Sequence, residues 1–196
     1  TVAIEGFGNV GWFTAKFLSE HGCKLIAVSD SSGVIYNKNG LNFQKLADAK
    51  KEEGKVTAYR DGQAYPSNNI LEVKADILVT AAIPDLVKEG DIDNLHFKMI
   101  IEGSNIPMTE AVEDLCYQKG ILVIPDFLAN AGGVISSYVE YVHGTEKKMF
   151  ELVESKITKN TKLVLDSAGK KKITPRKAAM EIAVSRVRKK CTICRI

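Results

Sequence analysis

The sequence predicts an α/β fold: a doubly wound, mostly parallel sheet with a helical C-terminal extension. Short continuous apolar runs alternate with helical periodicity from the first residue, and the pattern becomes wholly helical after residue 131. Strands that are buried on both faces form such continuous runs. Their alternation with helices is typical of a parallel sheet covered by helices.

Five apolar runs, each bounded by turn residues or charges, are predicted to form the strands. They cover residues 1–4, 24–29, 77–79, 99–101 and 121–124. Between them, apolar residues recur at helical spacing from residue 10 to 18, and a second helix is predicted over residues 42–53. Thr109 is a good N-cap for a third helix, which Gly120 should end.

Three further helices are predicted after the last strand. The first covers residues 132–143, the second covers residues 147–168, and the third begins at Thr174-Pro175, which suit the N-cap and first helical positions. We therefore predict a first domain over residues 1–145 and a helical extension of the same domain over residues 146–196.

Composition places the chain among ordinary globular proteins. Of its 196 residues, 45% are hydrophobic and 26% are charged. No apolar run approaches the roughly 20 residues that cross a bilayer, and nothing resembles a secretory leader. We therefore expect a cytoplasmic protein without a membrane partner. Because Thr1 already stands in an apolar run and no Met precedes it, we interpret the chain as part of a longer protein.

The basic residues are concentrated at one end of the chain. Residues 147–196 contain 15 lysines and arginines but only four acidic residues, although the whole chain carries a net charge of only +3. A nucleic-acid patch usually interleaves aromatic residues, and these are missing here. We predict a solvated or interdomain face without nucleic acid.

The four cysteines are not predicted to form a metal site. Cys23 and Cys116 lie in apolar segments and are expected to be small core residues. Cys191 and Cys194 have C-x-x-C spacing, but a structural zinc site needs about four ligands and no further pair lies nearby. We predict that these two are tail thiols.

The segment Gly6-Phe7-Gly8-Asn9-Val10-Gly11 carries the strongest functional signal. It follows a predicted strand and opens a predicted helix, as the dinucleotide-binding fingerprint of a Rossmann domain does. The first glycine makes the turn, the second lets backbone amides approach the pyrophosphate, and the third lets helix and strand pack closely. The positive end of the helix dipole then faces the phosphates.

Asp30 ends the second predicted strand, about 20 residues after the last glycine of the fingerprint. This spacing suits a carboxylate that accepts a hydrogen bond from the ribose 2′-hydroxyl. Such a carboxylate repels a 2′-phosphate, so we predict NAD as the cofactor. Ser31 and Ser32 follow directly and are able to donate to a phosphate, which keeps NADP as the alternative.

Two asparagines follow later strands. Asn105 follows the run at 99–101, and Asn130 follows the run at 121–124. Side chains at the carboxyl ends of parallel strands line the ligand crevice, so we predict that both lie beside the nicotinamide half of the cofactor. Turn formation is the alternative role for each of them.

Four segments together resemble the C-terminal domain of glutamate dehydrogenase. They are the glycine-rich segment 6–11, Ser-Asp-Ser at 29–31, Glu-Gly-Ser-Asn at 102–105, and residues 125–138 with their Asn-Ala-Gly-Gly-Val run. This run is specific to the glutamate, leucine, phenylalanine and valine dehydrogenases, and Ser-Ser-Tyr-Val-Glu favours the glutamate branch. The resemblance covers residues 1–143 and, more loosely, the Arg-Lys-Ala-Ala segment at 176–179.

The resemblance implies reversible oxidative deamination of L-glutamate to 2-oxoglutarate and ammonia, with hydride transfer to NAD or NADP. It also implies that Asn9 and Val10 meet the pyrophosphate and that Ala81-Ala82 meet the adenosine. Asn105 and Asn130 would hold the nicotinamide end. Ser137 would bind the side-chain carboxylate of the substrate, although a hydroxyl bonded to its own helix is the alternative.

The family's catalytic lysine and aspartate belong to an N-terminal domain without a counterpart in these residues. We therefore assign no catalytic residue here, and we expect this chain to bind the cofactor but to be inactive alone. The parent enzyme is expected to be a homo-oligomer. The alternatives are a domain of a leucine, phenylalanine or valine dehydrogenase, and a non-catalytic NAD-sensing module.

Three residues depart from the family pattern. Asp85 stands where asparagine is usual, Ile106 replaces a usual glycine, and Thr80 stands where proline is common. The first departure concerns an expected contact to the nicotinamide. We interpret the three as marks of a divergent member with the same fold.

Overall fold

The structure is a computed structural model that describes residues 1–191. The chain forms two compact units, Thr1–Leu122 and Val123–Ile196. Cys191 is disulfide-bonded, so the prediction of a tail thiol is wrong for this residue. Cys194 lies outside the described residues. Within residues 1–191 no helix combines the length and the apolar character that a membrane span requires.

A seven-stranded sheet has the order β4-β3-β2-β1-β5-β6-β7. Its strands are β1 (Val2–Glu5), β2 (Leu25–Asp30), β3 (Gly33–Tyr36), β4 (Gln63–Tyr65), β5 (Ile77–Thr80), β6 (Met99–Glu102) and β7 (Leu122–Ile124). β1 pairs in parallel with β2 and β5, and β5 pairs in parallel with β6. The five predicted strands are confirmed. β3 pairs antiparallel with β2, and β4 pairs antiparallel with β3 at the edge of the sheet. β3 and β4 were not predicted.

Three α-helices belong to the first unit: α1 (Asn9–Glu20), α2 (Phe43–Glu53) and α3 (Glu110–Gln118). The side chain of Asn42 caps α2 by accepting from the amide of Lys45 at 3.0 Å, and Gly54 ends the helix with a φ of 73°. Thr109 caps α3, as predicted, by accepting from the amide of Val112. Three 3₁₀ segments cover Val56–Ala58, Ser67–Glu72 and Glu89–Asn94.

The core of the first unit is built around β1, the central strand. Ile4 of β1, Val28 of β2, Ile35 of β3 and Leu46 of α2 belong to one buried cluster. Cys116 is fully buried, as predicted, and burial raises the pKa of its thiol to about 11, with smaller contributions from Glu113 and Glu102. Cys23 is only half-buried and packs against the same core cluster.

The second unit is helical: α4 (Asp126–Ala129), α5 (Gly132–Tyr141), α6 (Glu146–Lys171) and α7 (Pro175–Lys190). α4 and α5 pack against α6, and α6 packs against α7. This packing groups α5 with the later helices, whereas the sequence pattern places a boundary after residue 145. Thr174 caps α7 by accepting from the amide of Lys177, with Pro175 at the first helical position, as predicted.

One ion pair ties α7 to α4 inside the second unit. Nη2 of Arg176 lies 3.0 Å from Oδ1 of Asp126, and the two side chains are only 16% and 11% exposed. The same carboxylate oxygen accepts from the amide of Phe127 at 2.8 Å. The guanidinium also lies 5.2 Å from the centre of the Phe127 ring, where a cation is attracted by the ring face.

Candidate dinucleotide-binding site

A cavity of about 790 Å³ lies at the carboxyl ends of β1, β2 and β5, within the first unit. Ligands of open α/β sheets bind at this edge of the sheet. Six predicted cofactor residues line the cavity: Gly6, Phe7, Gly8, Asp30, Ser31 and Ala82. Three more, Asn9, Val10 and Ala81, adjoin these residues in sequence without lining the cavity.

The glycine-rich loop is packed too tightly to hold side chains at two positions. A Cβ at Gly6, where φ is +92°, would lie 2.7 Å from Cβ of Ala82. A Cβ at Gly11 would lie 1.9 Å from the carbonyl oxygen of Gly6. The third glycine therefore allows α1 to start directly against the turn that follows β1, as the fingerprint predicts.

Gly8 differs from these two glycines because open space surrounds it. A Cβ at Gly8 would meet nothing within 4 Å. Gly8 is the N-cap residue of α1, no side chain caps the helix there, and no acidic residue stands in its first turn. The first amides of a helix need partners, and the helix dipole favours an anion as the partner. The loop and α1 thus fit a pyrophosphate.

Asp30 lies in the cavity wall, but its carboxylate is occupied by protein donors. Oδ1 accepts from the amide and the hydroxyl of Ser32, while Oδ2 accepts from Nζ of Lys50 at 2.6 Å and from the amide of Val56 at 2.9 Å. Burial alone would raise the pKa of Asp30. The hydrogen bonds from Lys50, Ser32 and Val56 outweigh that effect and hold the pKa below its ordinary value.

Glu5 also forms part of the cavity wall, although the sequence patterns did not predict this role. It is buried at the end of β1, and its Oε2 accepts from the amides of Ala81 and Ala82, both at 3.0 Å. Burial raises the pKa of this carboxyl, and the bonds from Ala81, Ala82 and Ile83 offset only part of the rise. The sequence feature that could have indicated Glu5 is its acidic side chain directly before the glycine-rich segment.

Replacing Glu5 by glutamine should stabilise the protein at high pH and not at low pH. Because the pKa of Glu5 is raised in the folded state, stability is lost as pH rises through that pKa. Glutamine keeps an oxygen for the two amides and carries no charge. We expect urea unfolding to show a gain of about 1 kcal/mol near pH 8. Near pH 4 the difference should vanish, because Glu5 is then largely protonated.

Glu52→Gln is the matched control, because Glu52 is exposed on α2. It should change the free energy of unfolding by less than about 0.5 kcal/mol at either pH. An equal gain for Glu5→Gln at both pH values would show that the charge of Glu5 is not the cause.

Comparison with known proteins identifies the family. Residues 1–192 match the family described as Glutamate/Leucine/Phenylalanine/Valine dehydrogenase. The chain belongs to this family. It is 42% identical to a glutamate dehydrogenase of Aeropyrum pernix over 198 aligned positions. This alignment covers 95% of this chain and 47% of that enzyme. It is 39% identical to an NADP-specific glutamate dehydrogenase of Saccharolobus shibatae over 165 positions. This second alignment covers 84% of this chain and 38% of that enzyme.

A solved structure agrees with this assignment. The glutamate dehydrogenase of Peptoniphilus asaccharolyticus superposes with a TM-score of 0.78 at 28% identity, over 95% of this chain and 45% of that one. The chain thus spans about half the length of the relatives that it matches. The Rossmann-like α/β fold predicted from the sequence is confirmed as the fold of this dehydrogenase family.

Two departures from the family pattern meet each other in space. The amide of Asp85 donates to the carbonyl of Ile106 at 3.0 Å, and the two residues have φ values of 50° and 49°. A left-handed conformation is disfavoured for a β-branched residue by roughly 1–2 kcal/mol. The glycine that the family resemblance implies at position 106 would adopt this conformation without that cost. The third departure, Thr80, is buried, and its hydroxyl lies 3.0 Å from that of Ser104.

The residues predicted for the nicotinamide and the substrate are divided between the units. Asn105 belongs to the first unit and is exposed after β6, whereas Asn130 belongs to the second unit and ends α4. Ser137 is exposed on α5, and its hydroxyl donates to the carbonyl of Gly133 at 3.2 Å. The hydroxyl is thus bonded within its own helix in this structure. The assignments of all three to ligand binding stay predictions.

The structure also brings residues into the cavity that no sequence pattern indicated. Lys50 comes from α2, and Ser67, Asn68 and Leu71 come from the 3₁₀ segment Ser67–Glu72. Ile83, Leu86 and Lys88 follow β5 and also line it. Among residues 1–191, no three His, Cys, Asp or Glu side chains are grouped to hold a metal ion.

Proposed function

We propose that this chain is the nicotinamide-dinucleotide-binding domain of a glutamate dehydrogenase. The parent reaction would convert L-glutamate, NAD(P)⁺ and water to 2-oxoglutarate, ammonia, NAD(P)H and a proton. The observation that carries the proposal is the uncapped start of α1, which faces open space at Gly8 beside a cavity at the carboxyl ends of the parallel strands. The family assignment supports the reaction class.

The bound cofactor would supply the acceptor for a hydride, and the residues of this chain would hold it. The amides of Asn9 and Val10 at the start of α1 would meet the pyrophosphate, and the absence of a side-chain cap at this helix start supports that role. Apolar side chains of the cavity wall, Leu71, Ile83 and Leu86, are suited to exclude water from a flat base. Asn105 and Asn130 are proposed for the nicotinamide end.

Catalysis in this proposal needs more than the described chain. An acid–base group must move a proton at the amino nitrogen of the substrate, and the cleft must exclude water. We assign neither task to a residue of this chain. The relatives are about twice as long, and we propose that the additional half of the parent protein supplies both. A homo-oligomeric parent enzyme stays a prediction.

The test is to titrate the purified chain with NADH and follow the fluorescence of the nicotinamide ring. Saturable binding without glutamate oxidation is the expected result, and activity should appear only when the chain is produced as part of its full-length parent. Glutamate oxidation by the chain alone would contradict the proposal. Binding by the chain and no activity in the full-length parent would favour the non-catalytic NAD-sensing module instead.

A dehydrogenase of leucine, phenylalanine or valine is the second candidate. The hydroxyl proton of Ser137 already has an acceptor in the carbonyl of Gly133, so this serine is not an unoccupied donor for a carboxylate. Ser137→Ala in the full-length enzyme separates the candidates. Loss of preference for glutamate over leucine would assign Ser137 to the substrate, and an unchanged preference would withdraw that assignment.

A further inference from the structure

Glu5 places a carboxyl group directly beside the loop that is proposed for the pyrophosphate. It ends β1, Gly6 follows it at once, and it lines the cavity together with Gly6, Phe7 and Gly8. Only 5% of this residue is exposed. An ionised carboxylate here would face the negative phosphates of a dinucleotide while it is largely removed from water. Both the burial and the like charge favour the protonated acid.

The hydrogen bonds of Glu5 indicate which of its oxygens carries the proton in the neutral acid. The amides of Ala81 and Ala82 both donate to Oε2, each at 3.0 Å, so this oxygen acts as an acceptor. A protonated carboxyl group retains acceptor capacity and gains one O–H donor. The proton therefore belongs on Oε1. The neutral acid keeps both amide bonds and adds a hydrogen-bond donor to the cavity wall.

Acidic groups outnumber basic groups in the wall of this cavity. Two lysines line it, against five carboxyl groups: Lys50 and Lys88, and Glu5, Asp30, Glu72, Asp85 and Asp91. The ammonium group of Lys50 is already paired with the carboxylate of Asp30 at 2.6 Å. A cavity with this excess of acid binds an anion better when one of its carboxyl groups is neutral. Glu5 is the carboxyl group that adjoins the glycine-rich loop.

The other carboxyl groups of the wall differ from Glu5 in their surroundings. Burial raises the pKa of Asp30, but its hydrogen bonds, led by that from Lys50, hold the pKa below its ordinary value. Glu72 and Asp85 are exposed, and Asp91 accepts from the amide of Lys88 at 2.8 Å. Among the described residues that line the cavity there is no histidine. Glu5 is therefore the carboxyl group of the wall whose pKa burial moves towards neutral pH.

We propose that Glu5 takes up a proton from solvent when a dinucleotide binds, and that the neutral acid donates from Oε1 to a phosphate oxygen. This inference rests on the proposed function, because it assumes that a dinucleotide occupies the cavity. The phosphates raise the pKa of Glu5 further in the complex. Affinity therefore falls as pH rises from the pKa of Glu5 in the free chain to its higher pKa in the complex, since the ionised form must first gain a proton.

The test is calorimetric titration of the chain with NAD⁺, which is stable in acid, at pH values from about 5 to about 9. The dissociation constant of wild type should rise about tenfold or more across this range. Glu5→Gln is neutral at every pH and still accepts the two amide bonds, so its dissociation constant should stay close to the wild-type value at low pH. Glu52→Gln is the matched control, because Glu52 is exposed on α2 and does not line the cavity. It should keep the wild-type pH dependence.

A second measurement counts the protons directly and needs only wild type. Titrations in two buffers with different ionisation enthalpies should show an uptake of up to about one proton for each bound NAD⁺. ADP-ribose, which carries the pyrophosphate but lacks the nicotinamide, should show the same uptake. If Glu5→Gln does not fold, these two proton counts decide. Uptake with NAD⁺ and none with ADP-ribose would place the proton at the nicotinamide end and overturn the inference.

The outcomes separate this inference from the function on which it rests. A wild-type chain that binds NAD⁺ without proton uptake at any of these pH values overturns the inference alone. A Glu5→Gln chain that folds and keeps the wild-type pH dependence overturns it as well, since another group must then take up the proton. A wild-type chain that binds neither NAD⁺ nor ADP-ribose overturns the proposed function and the inference together.

Discussion

Replacing Gly11 by alanine should abolish dinucleotide binding and destabilise the first unit. The added methyl group would lie 1.9 Å from the carbonyl oxygen of Gly6, and backbone cannot yield as a flexible side chain does. Relieving the clash requires the start of α1 to move away from the loop. We expect a loss of about 3 kcal/mol in the free energy of unfolding and a loss of NADH affinity of about 100-fold or more.

Gly8→Ala is the matched comparison within the same loop. Its φ is −82°, and the added methyl would meet no protein atom within 4 Å. Stability should therefore fall by less than about 1 kcal/mol, mainly because alanine is a poor N-cap residue. NADH binding should still weaken strongly, since the methyl occupies the space proposed for the pyrophosphate. Normal NADH binding by Gly8→Ala would show that the pyrophosphate does not lie against this loop.

Replacing Arg176 by alanine should destabilise the second unit by about 3–5 kcal/mol. The variant leaves a carboxylate at Asp126 that is only 11% exposed and has lost its guanidinium, and removal of one partner of a buried ion pair has this effect. The contact with the Phe127 ring is lost as well. Urea unfolding followed by far-ultraviolet circular dichroism measures the loss, since this unit is helical.

Two further variants test whether the charge of Asp126 is the cause. Arg186→Ala is the control, because Arg186 lies on the same helix and makes an exposed hydrogen bond to Asn160. It should cost less than about 0.5 kcal/mol. Asp126→Asn on the Arg176→Ala background should recover part of the loss, because the buried charge that lost its guanidinium is removed. A loss below about 1 kcal/mol in Arg176→Ala would mean that water replaces the guanidinium.

Local patterns predicted most of the fold because the signals that produce it are local. The caps at Thr109 and Thr174 were predicted from residue type and position, and each forms the expected bond. β3 was missed although Val34 and Ile35 are apolar and buried, because its four residues follow directly on the turn at Ser31-Ser32. β4 is exposed along its length and carries no apolar signal.

The position of the site could be predicted from the sequence, but the hydrogen bonds of its side chains could not. The spacing from the glycines placed Asp30 in the cavity wall, as the structure shows. The donors that occupy its carboxylate come from Lys50 and Val56, 20 and 26 positions later in the chain. Motif spacing cannot predict these partners, since they lie on α2 and on the 3₁₀ segment Val56–Ala58, which the tertiary fold brings to Asp30. The strained contact between Asp85 and Ile106 was likewise visible only as two unusual residue types.

The position of β1 at the centre of the sheet has a consequence for folding during synthesis. β1 is the first strand in the sequence, and it pairs with β2 on one side and with β5, residues 77–80, on the other. Until β5 leaves the ribosome, one edge of β1 has unpaired amides and carbonyls that other chains can pair with. Such distant pairing slows folding. We expect shorter nascent chains to depend on chaperones until β5 has emerged.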